Sequence, residues 1–215
     1  MSIISTSFNL SRSPSVNGLR GLHACVFALG ALPAGIMVLA LLRGELGVNP
    51  VETLIHGTGI WALRLLLLTL AITPIRWLSG AVWVIRLRRQ VGLWAFFYAL
   101  SHFSIFIIFE HSLVLSTIAL DIIERPYILL GTSAFVLLLP LALTSTQGWM
   151  RRLGRNWKRL HRLIYPAALL GLLHFFWLIK ANRWVEPLIY AALLAVMLGW
   201  RLWRRRSALW PTRFA

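Results

Sequence analysis

The chain has 215 residues, of which 59% are hydrophobic and only 13% are charged, whereas a soluble domain carries about 25% charged residues. This composition excludes an ordinary soluble domain and indicates a polytopic α-helical membrane protein. The net charge of +16 does not indicate a nucleic-acid partner, because the basic residues follow a membrane topology pattern. The single cysteine, Cys25, excludes a thiol relay within the chain, CxxC metal sites and c-type haem attachment.

Six apolar segments are predicted to cross the membrane as helices of an all-α bundle. They cover residues 21–43, 56–78, 92–111, 126–146, 161–180 and 187–206. A polar segment, residues 1–20, precedes the transmembrane domain 21–206, and residues 207–215 form a tail. No strand is expected, because no period-2 alternation separated by turn residues occurs.

The charges are divided between the two ends of these six predicted spans. All six acidic residues fall at one end, namely Glu45, Glu52, Glu110, Asp121, Glu124 and Glu186. The other end holds 17 basic residues and no acidic residue. Because an excess of Lys and Arg marks the cytoplasmic side, both termini are predicted to be cytoplasmic.

Two histidines are predicted at matching depths in two apolar spans. His102 lies about 15 Å from the basic end of the third span and His174 about 20 Å from the same end of the fifth, at 1.5 Å per residue. Two neutral imidazoles at one depth are what a haem b with two axial histidines requires. The alternative is that each histidine hydrogen-bonds to a neighbouring helix.

His161 is a third candidate ligand, at the basic end of the fifth span. It lies about 20 Å along the helix from His174, a separation suited to a second haem near the other membrane face. Thirteen residues turn a straight helix by about 220°, however, so the two imidazoles would not share a face unless Pro166 rewinds the helix. The residue 13 positions before His102 is Arg89, so no mirrored histidine ligand exists. A surface histidine at a helix end is the alternative.

Arg64 and His56 are the remaining candidate cofactor-binding residues. Arg64 lies within the second span, where a charged side chain indicates a functional site unless it reaches out to the interface. His56 begins the same span. Haem propionates or a quinone head group are the expected partners of either residue. His23 and His111 are expected to be interfacial residues and not ligands.

Five short motifs in register are similar to those of a known membrane family. They are HGTG at His56–Gly59, RRQVGLW at Arg88–Trp94, ERPY at Glu124–Tyr127, LTSTQ at Leu143–Gln147 and WKRLHRLIY at Trp157–Tyr165. Together they closely resemble the haem-binding membrane subunits of periplasmic methionine sulfoxide reductase systems, which belong to the ferric-reductase-like transmembrane superfamily. The resemblance extends over about residues 25–206.

This resemblance implies a haem b electron-transfer subunit, with one haem or two, in a bacterial inner membrane. Electrons would pass from the quinone pool or a cytosolic flavin reductase to a periplasmic molybdopterin methionine sulfoxide reductase, the catalytic subunit of a heterodimer. The haem ligands of the family map onto His102, His161 and His174. The family is also described as binding FMN, for which the sequence offers no recognisable phosphate cradle.

Two other classes of function compete with this interpretation. A transmembrane ferric reductase or oxidase of the same superfamily would need FAD and NADPH sites on a separate flavoprotein, because no GxGxxG fingerprint follows a strand here. A transporter without redox chemistry would be expected to show repeat symmetry or broken helices around a midplane site. No internal repeat is apparent in the sequence.

Overall fold

The computed structural model describes residues 14–178 and 184–209. Within these ranges the chain is helical, without strands, and five helical segments are long and apolar enough to cross a membrane. They are Val16–Leu42, Pro50–Ser79, Val82–Glu110, Pro126–Leu143 and Val185–Arg204. The expected all-α polytopic membrane class is therefore confirmed, whereas the number of six spans and the sides of the termini stay predictions.

The first two helices begin earlier than the hydropathy pattern predicts, because each has an N-cap upstream of its apolar run. α1 (Val16–Leu42) is capped by Ser15, whose hydroxyl accepts a hydrogen bond from Gly18 N at 3.2 Å. The last five residues of the predicted polar segment 1–20 are thus helical. α2 (Pro50–Ser79) is capped by Asn49 and ends at Gly80, whose φ of 69° is readily adopted by glycine.

The third predicted span corresponds to several consecutive helical pieces. A 3₁₀ helix (Val82–Leu87) leads into α3 (Arg88–Ile105), and a π-helical turn (Phe106–Glu110) continues it. The following segment, which lies between the third and fourth predicted spans, forms the amphipathic α4 (Leu115–Glu124). Its apolar residues recur at helical spacing.

The fifth predicted span is not a single continuous α-helix in the structure. After α5 (Pro126–Leu143), two short helices, α6 (Gln147–Leu153) and α7 (Arg155–Leu160), precede a 3₁₀ turn and α8 (Ile164–Leu178). α8 has 15 residues, and residues 179–180 of the predicted span 161–180 lie outside the described residues. α9 (Val185–Leu209) follows, so most of the predicted tail 207–215 also lies outside them.

The helices form two tightly associated pairs, α2 with α3 and α5 with α8, which pack on one another through a common core. Leu66, Leu70 and Ala168 are almost completely buried in this core. Large side chains of α1, such as Phe27 and Leu29, are by contrast more than half exposed. Outward-facing apolar residues are expected where lipid replaces water as the solvent.

Candidate functional site

The two helix pairs bring the imidazoles of His102 on α3 and His174 on α8 next to each other in the bundle. Their ring centroids are 6.1 Å apart and the ring planes are inclined at 74°. Both side chains are partly buried. The depth match expected from the sequence is therefore realised as a direct juxtaposition of the two imidazoles.

Each of these imidazoles is bonded to a backbone carbonyl of the neighbouring helix. His102 Nδ1 lies 2.9 Å from Ile55 O, and His174 Nδ1 lies 2.6 Å from Tyr127 O. A carbonyl oxygen only accepts, so each Nδ1 carries the proton and donates it. Each Nε2 is consequently unprotonated and available as a ligand, an arrangement usual for metal-binding histidines.

The separation of the two rings fits a single metal ion between them. A metal–nitrogen bond of about 2 Å and a ring radius of about 1 Å on each side place two opposed imidazole centroids roughly 6 Å apart. The separation of 6.1 Å agrees with this value. His102 and His174 could therefore hold a haem iron as its two axial ligands.

The surroundings of the two histidines are equivalent. The acceptor Ile55 precedes His102 by 47 residues, and the acceptor Tyr127 precedes His174 by the same 47. A glycine four residues after each acceptor, Gly59 or Gly131, faces the imidazole. We call Ile55 with Gly59 the first cradle and Tyr127 with Gly131 the second. The sequence did not reveal this repeat, because so few residues of the paired segments are identical.

His161 lies apart from this pair, in a cavity of its own. Its Nδ1 is 3.1 Å from Trp157 O, and its ring stacks on the Trp157 indole with centroids 3.9 Å apart. His161 begins the 3₁₀ turn His161–Leu163, which precedes α8. His161 and His174 therefore belong to different helical segments. Pro166 lies in the first turn of α8, where its missing N–H disturbs no helical hydrogen bond.

The cavity that His161 lines has a volume of about 480 Å³ and a strongly basic wall. We call it the basic cavity. Its cationic lining residues are Arg88, Arg89, Lys158 and Arg162. Arg89, the counterpart of His161 expected from the spacing, thus lines the same cavity. This cavity could hold an anionic planar group, and the imidazole of His161 forms part of its wall.

Arg64 turns towards α9. Its Nε donates to Tyr190 OH at 2.7 Å, and its NH2 group lies 3.0 Å from Glu186 Oε1. The Tyr190 hydroxyl in turn donates to Glu186 at 2.9 Å. His56 lies 3.8 Å from Glu52 at the beginning of α2. The sequence did not predict Glu186 or Tyr190 as partners of Arg64, because they lie more than 120 residues away.

The two histidines that were expected not to be ligands have polar partners. His23 Nδ1 is 2.7 Å from Gln90 Oε1, which joins α1 to α3. His111 Nε2 is 3.2 Å from Asp121, which also pairs with Arg125 at 3.2 Å. Both histidines therefore take part in contacts between elements.

Comparisons with known proteins agree with this fold. Residues 58–172 match the family model of the ferric reductase like transmembrane component. A relative from Xanthomonas axonopodis pv. citri is 56% identical over 76% of this chain and 74% of its own. One from Xanthomonas campestris pv. campestris (strain 8004) is 55% identical over 86% of each chain, and one from Herminiimonas arsenicoxydans is 45% identical over 90% and 91%. No solved structure matches.

The helix bundle and the matching family model define a ferric-reductase-like transmembrane protein. All three relatives are named protein-methionine-sulfoxide reductase heme-binding subunit MsrQ. The chain belongs to the MsrQ family, and the resemblance found from the sequence motifs is confirmed.

Proposed function

We propose that this chain is a haem b electron-transfer subunit of a bacterial inner membrane, with His102 and His174 as the two axial ligands of one haem. The observation that supports this most directly is the 6.1 Å separation of their ring centroids, with both Nδ1 atoms bonded to carbonyls. A bound haem b would supply reversible one-electron chemistry. The residues of this chain hold its iron and surround it with apolar side chains.

We further propose that electrons enter from the quinone pool or a cytosolic flavin reductase and leave to a periplasmic molybdopterin methionine sulfoxide reductase. That partner would carry out the sulfoxide chemistry. The relatives, which are named protein-methionine-sulfoxide reductase heme-binding subunits, support a methionine sulfoxide reductase as the partner. Transmembrane domain 21–206 would then contain the whole conduit, with both termini cytoplasmic and Arg64 or His56 near the haem propionates or a quinone head group.

A second haem in the basic cavity, with His161 as an axial ligand, is a further part of the proposal. The cationic wall formed by Arg88, Arg89, Lys158 and Arg162 beside His161 supports it, because haem carries two carboxylates. FMN is implied by the resemblance only, and we assign no residue to it.

The test is the reduced-minus-oxidised absorption spectrum of the purified protein and two histidine variants. We expect a sharp b-type α-band that is lost or broadened in His174→Ala and retained in His23→Ala, since His23 contacts Gln90 at another place in the bundle. A colourless protein from haem-replete cells would contradict the proposed function.

The second candidate function is a ferric reductase or oxidase-type subunit that works with a separate flavoprotein. The match to the ferric reductase like transmembrane component favours this class. Supplying the reduced protein with either a methionine sulfoxide reductase subunit or a ferric chelate distinguishes the two functions. Haem reoxidation by the reductase and its sulfoxide substrate supports the first, and reoxidation by the chelate alone supports the second.

A further inference from the structure

The imidazole ring of each of the two histidines packs against a glycine of the neighbouring helix. A Cβ atom added at Gly59 would lie 3.0 Å from both Cε1 and Nδ1 of His102. A Cβ atom added at Gly131 would lie 2.9 Å from Nδ1 and 3.0 Å from Cε1 of His174. Distances of this size are shorter than van der Waals contact, so only glycine leaves room for the rings as they stand.

The position of these glycines follows from helix geometry. In an α-helix the Cα–Cβ bond tilts towards the N-terminus, so the side chain of one residue lies over the preceding turn. The preceding turn contains the carbonyl of the residue four positions earlier, which is Ile55 for Gly59 and Tyr127 for Gly131. That carbonyl has a second lone pair besides the one used within the helix. Because glycine has no Cβ, the imidazole Nδ1–H can reach this second lone pair.

Each ring is thus held at two points, by the hydrogen bond from its Nδ1 to the carbonyl and by the close approach of the glycine. Two such points fix rotation of the ring about its Cβ–Cγ bond. Because the two cradles belong to different helix pairs, they hold the ring planes at 74° to each other. The relative orientation of the imidazoles is therefore a property of the helix packing and not of the histidines alone.

We propose that Gly59 and Gly131 are positioning residues that set the crossed orientation of the His102 and His174 imidazoles, and through it the electronic state of a haem iron bound between them. This proposal rests on the proposed function, in which both imidazoles bind one iron. Nearly perpendicular axial imidazoles leave the iron d orbitals close to axial symmetry. A ferric low-spin haem of this kind shows one large g value in electron paramagnetic resonance, whereas parallel imidazoles give a rhombic signal.

The first experiment compares the full-length variants Gly59→Ala, Gly131→Ala and Gly171→Ala. Gly171 is the matched control, because it lies on α8 one turn before His174 and an added Cβ would meet no atom within 4 Å. We expect a lower largest g value and a shifted midpoint potential in Gly59→Ala and Gly131→Ala, and parental values in Gly171→Ala. Parental signals and potentials in all three variants would overturn the proposal.

The second experiment measures the same contact without relying on the haem. Thermal unfolding of Gly59→Ala, His102→Ala and the double variant forms a double-mutant cycle. With His102 present the methyl group should lower the melting temperature. With His102→Ala it should raise the melting temperature, because the clash is gone and alanine favours the helix. An equal change in both backgrounds would overturn the proposal.

The two experiments also separate this proposal from the proposed function. A protein that binds no haem contradicts the proposed function, yet the unfolding cycle still reports whether Gly59 contacts His102. Gly59→Ala and Gly131→Ala could lose haem completely while Gly171→Ala retains it. This result supports the proposal if the unfolding cycle shows coupling between Gly59 and His102. It overturns the proposal if the cycle shows no coupling.

Discussion

Arg64 of α2 and Glu186 of α9 form an ion pair with an N–O distance of 3.0 Å, and Tyr190 bonds to both. The Phe175 ring, next to His174 in sequence, packs on Tyr190 with centroids 5.9 Å apart. The ion pair therefore joins α9 to α2, and Tyr190 joins α9 to α8 through Phe175. Because the sequence predicted only Arg64 here, the pair is a finding of the structure.

Arg64→Leu and Glu186→Leu should each destabilise the protein, because each leaves a charge in the membrane region without its partner. We expect a cost of roughly 1–3 kcal/mol for each single change. The double variant should cost less than the sum of the two, since it leaves no unpaired charge. Unfolding in detergent by heat or denaturant provides the measurement. Strictly additive losses would show that the two side chains do not stabilise each other.

Tyr98→Phe should destabilise the junction of α1 and α3. The Tyr98 hydroxyl donates to Gly30 O at 2.7 Å and accepts from Ala34 N at 2.9 Å, so it stands between two groups that bond directly in a regular helix. Tyr98 is completely buried, and loss of its hydroxyl leaves both backbone groups unpaired. We expect a loss of about 1–3 kcal/mol by thermal unfolding.

The matched control for this change is Tyr127→Phe. The Tyr127 hydroxyl makes only a 3.4 Å contact with Arg125 at an exposed position, so its loss should change stability far less. Equal losses of stability in Tyr98→Phe and Tyr127→Phe would show that the two hydrogen bonds of the Tyr98 hydroxyl to α1 do not stabilise the protein.

Gly30→Ala should also weaken the packing of α1 on α3. An added Cβ at Gly30 would overlap the Trp94 indole, whereas one at Gly35 of the same helix meets no atom within 4 Å. We expect Gly30→Ala to cost about 1–3 kcal/mol through overpacking. Gly35→Ala should be neutral or stabilising by up to about 1 kcal/mol, because alanine favours the helix. A Gly30→Ala protein as stable as Gly35→Ala would contradict this contact.

His161→Ala should leave the signal of the His102–His174 haem unchanged. His161 lines the basic cavity and contacts Trp157, not either cradle. If the basic cavity holds a second haem, the haem content per polypeptide should fall by half while the large g value of the first persists. The measurement combines haem quantitation with electron paramagnetic resonance. Loss of that g value in His161→Ala would show that the two sites are not independent.

The sequence predicted the pairing of His102 with His174 from depth alone, because both apolar spans start from basic ends that mark one membrane surface. It could not predict the cradle carbonyls of Ile55 and Tyr127. These are backbone atoms, and any residue type at those positions supplies them. Gly59 belongs to the HGTG motif, and nothing in the sequence relates it to Gly131.

The helix boundaries were likewise predicted only in part by the sequence. Hydropathy located the apolar runs, but the caps at Ser15 and Asn49 set where α1 and α2 begin. Only the structure shows that a 3₁₀ turn at His161 precedes α8, because a continuous α-helix would also fit the apolar pattern. Local hydrogen bonding therefore decided details that composition leaves open.

By itself, the sequence determined the membrane class, the helical architecture and the identity of the candidate ligands, because these depend on composition, hydropathy and residue type along the chain. Tertiary structure alone decided that His102 and His174 face each other at 6.1 Å, that glycines hold their rings, and that Arg64 pairs with Glu186. The physical reason is that these relationships join residues from different helices, and their geometry depends on how the helices pack.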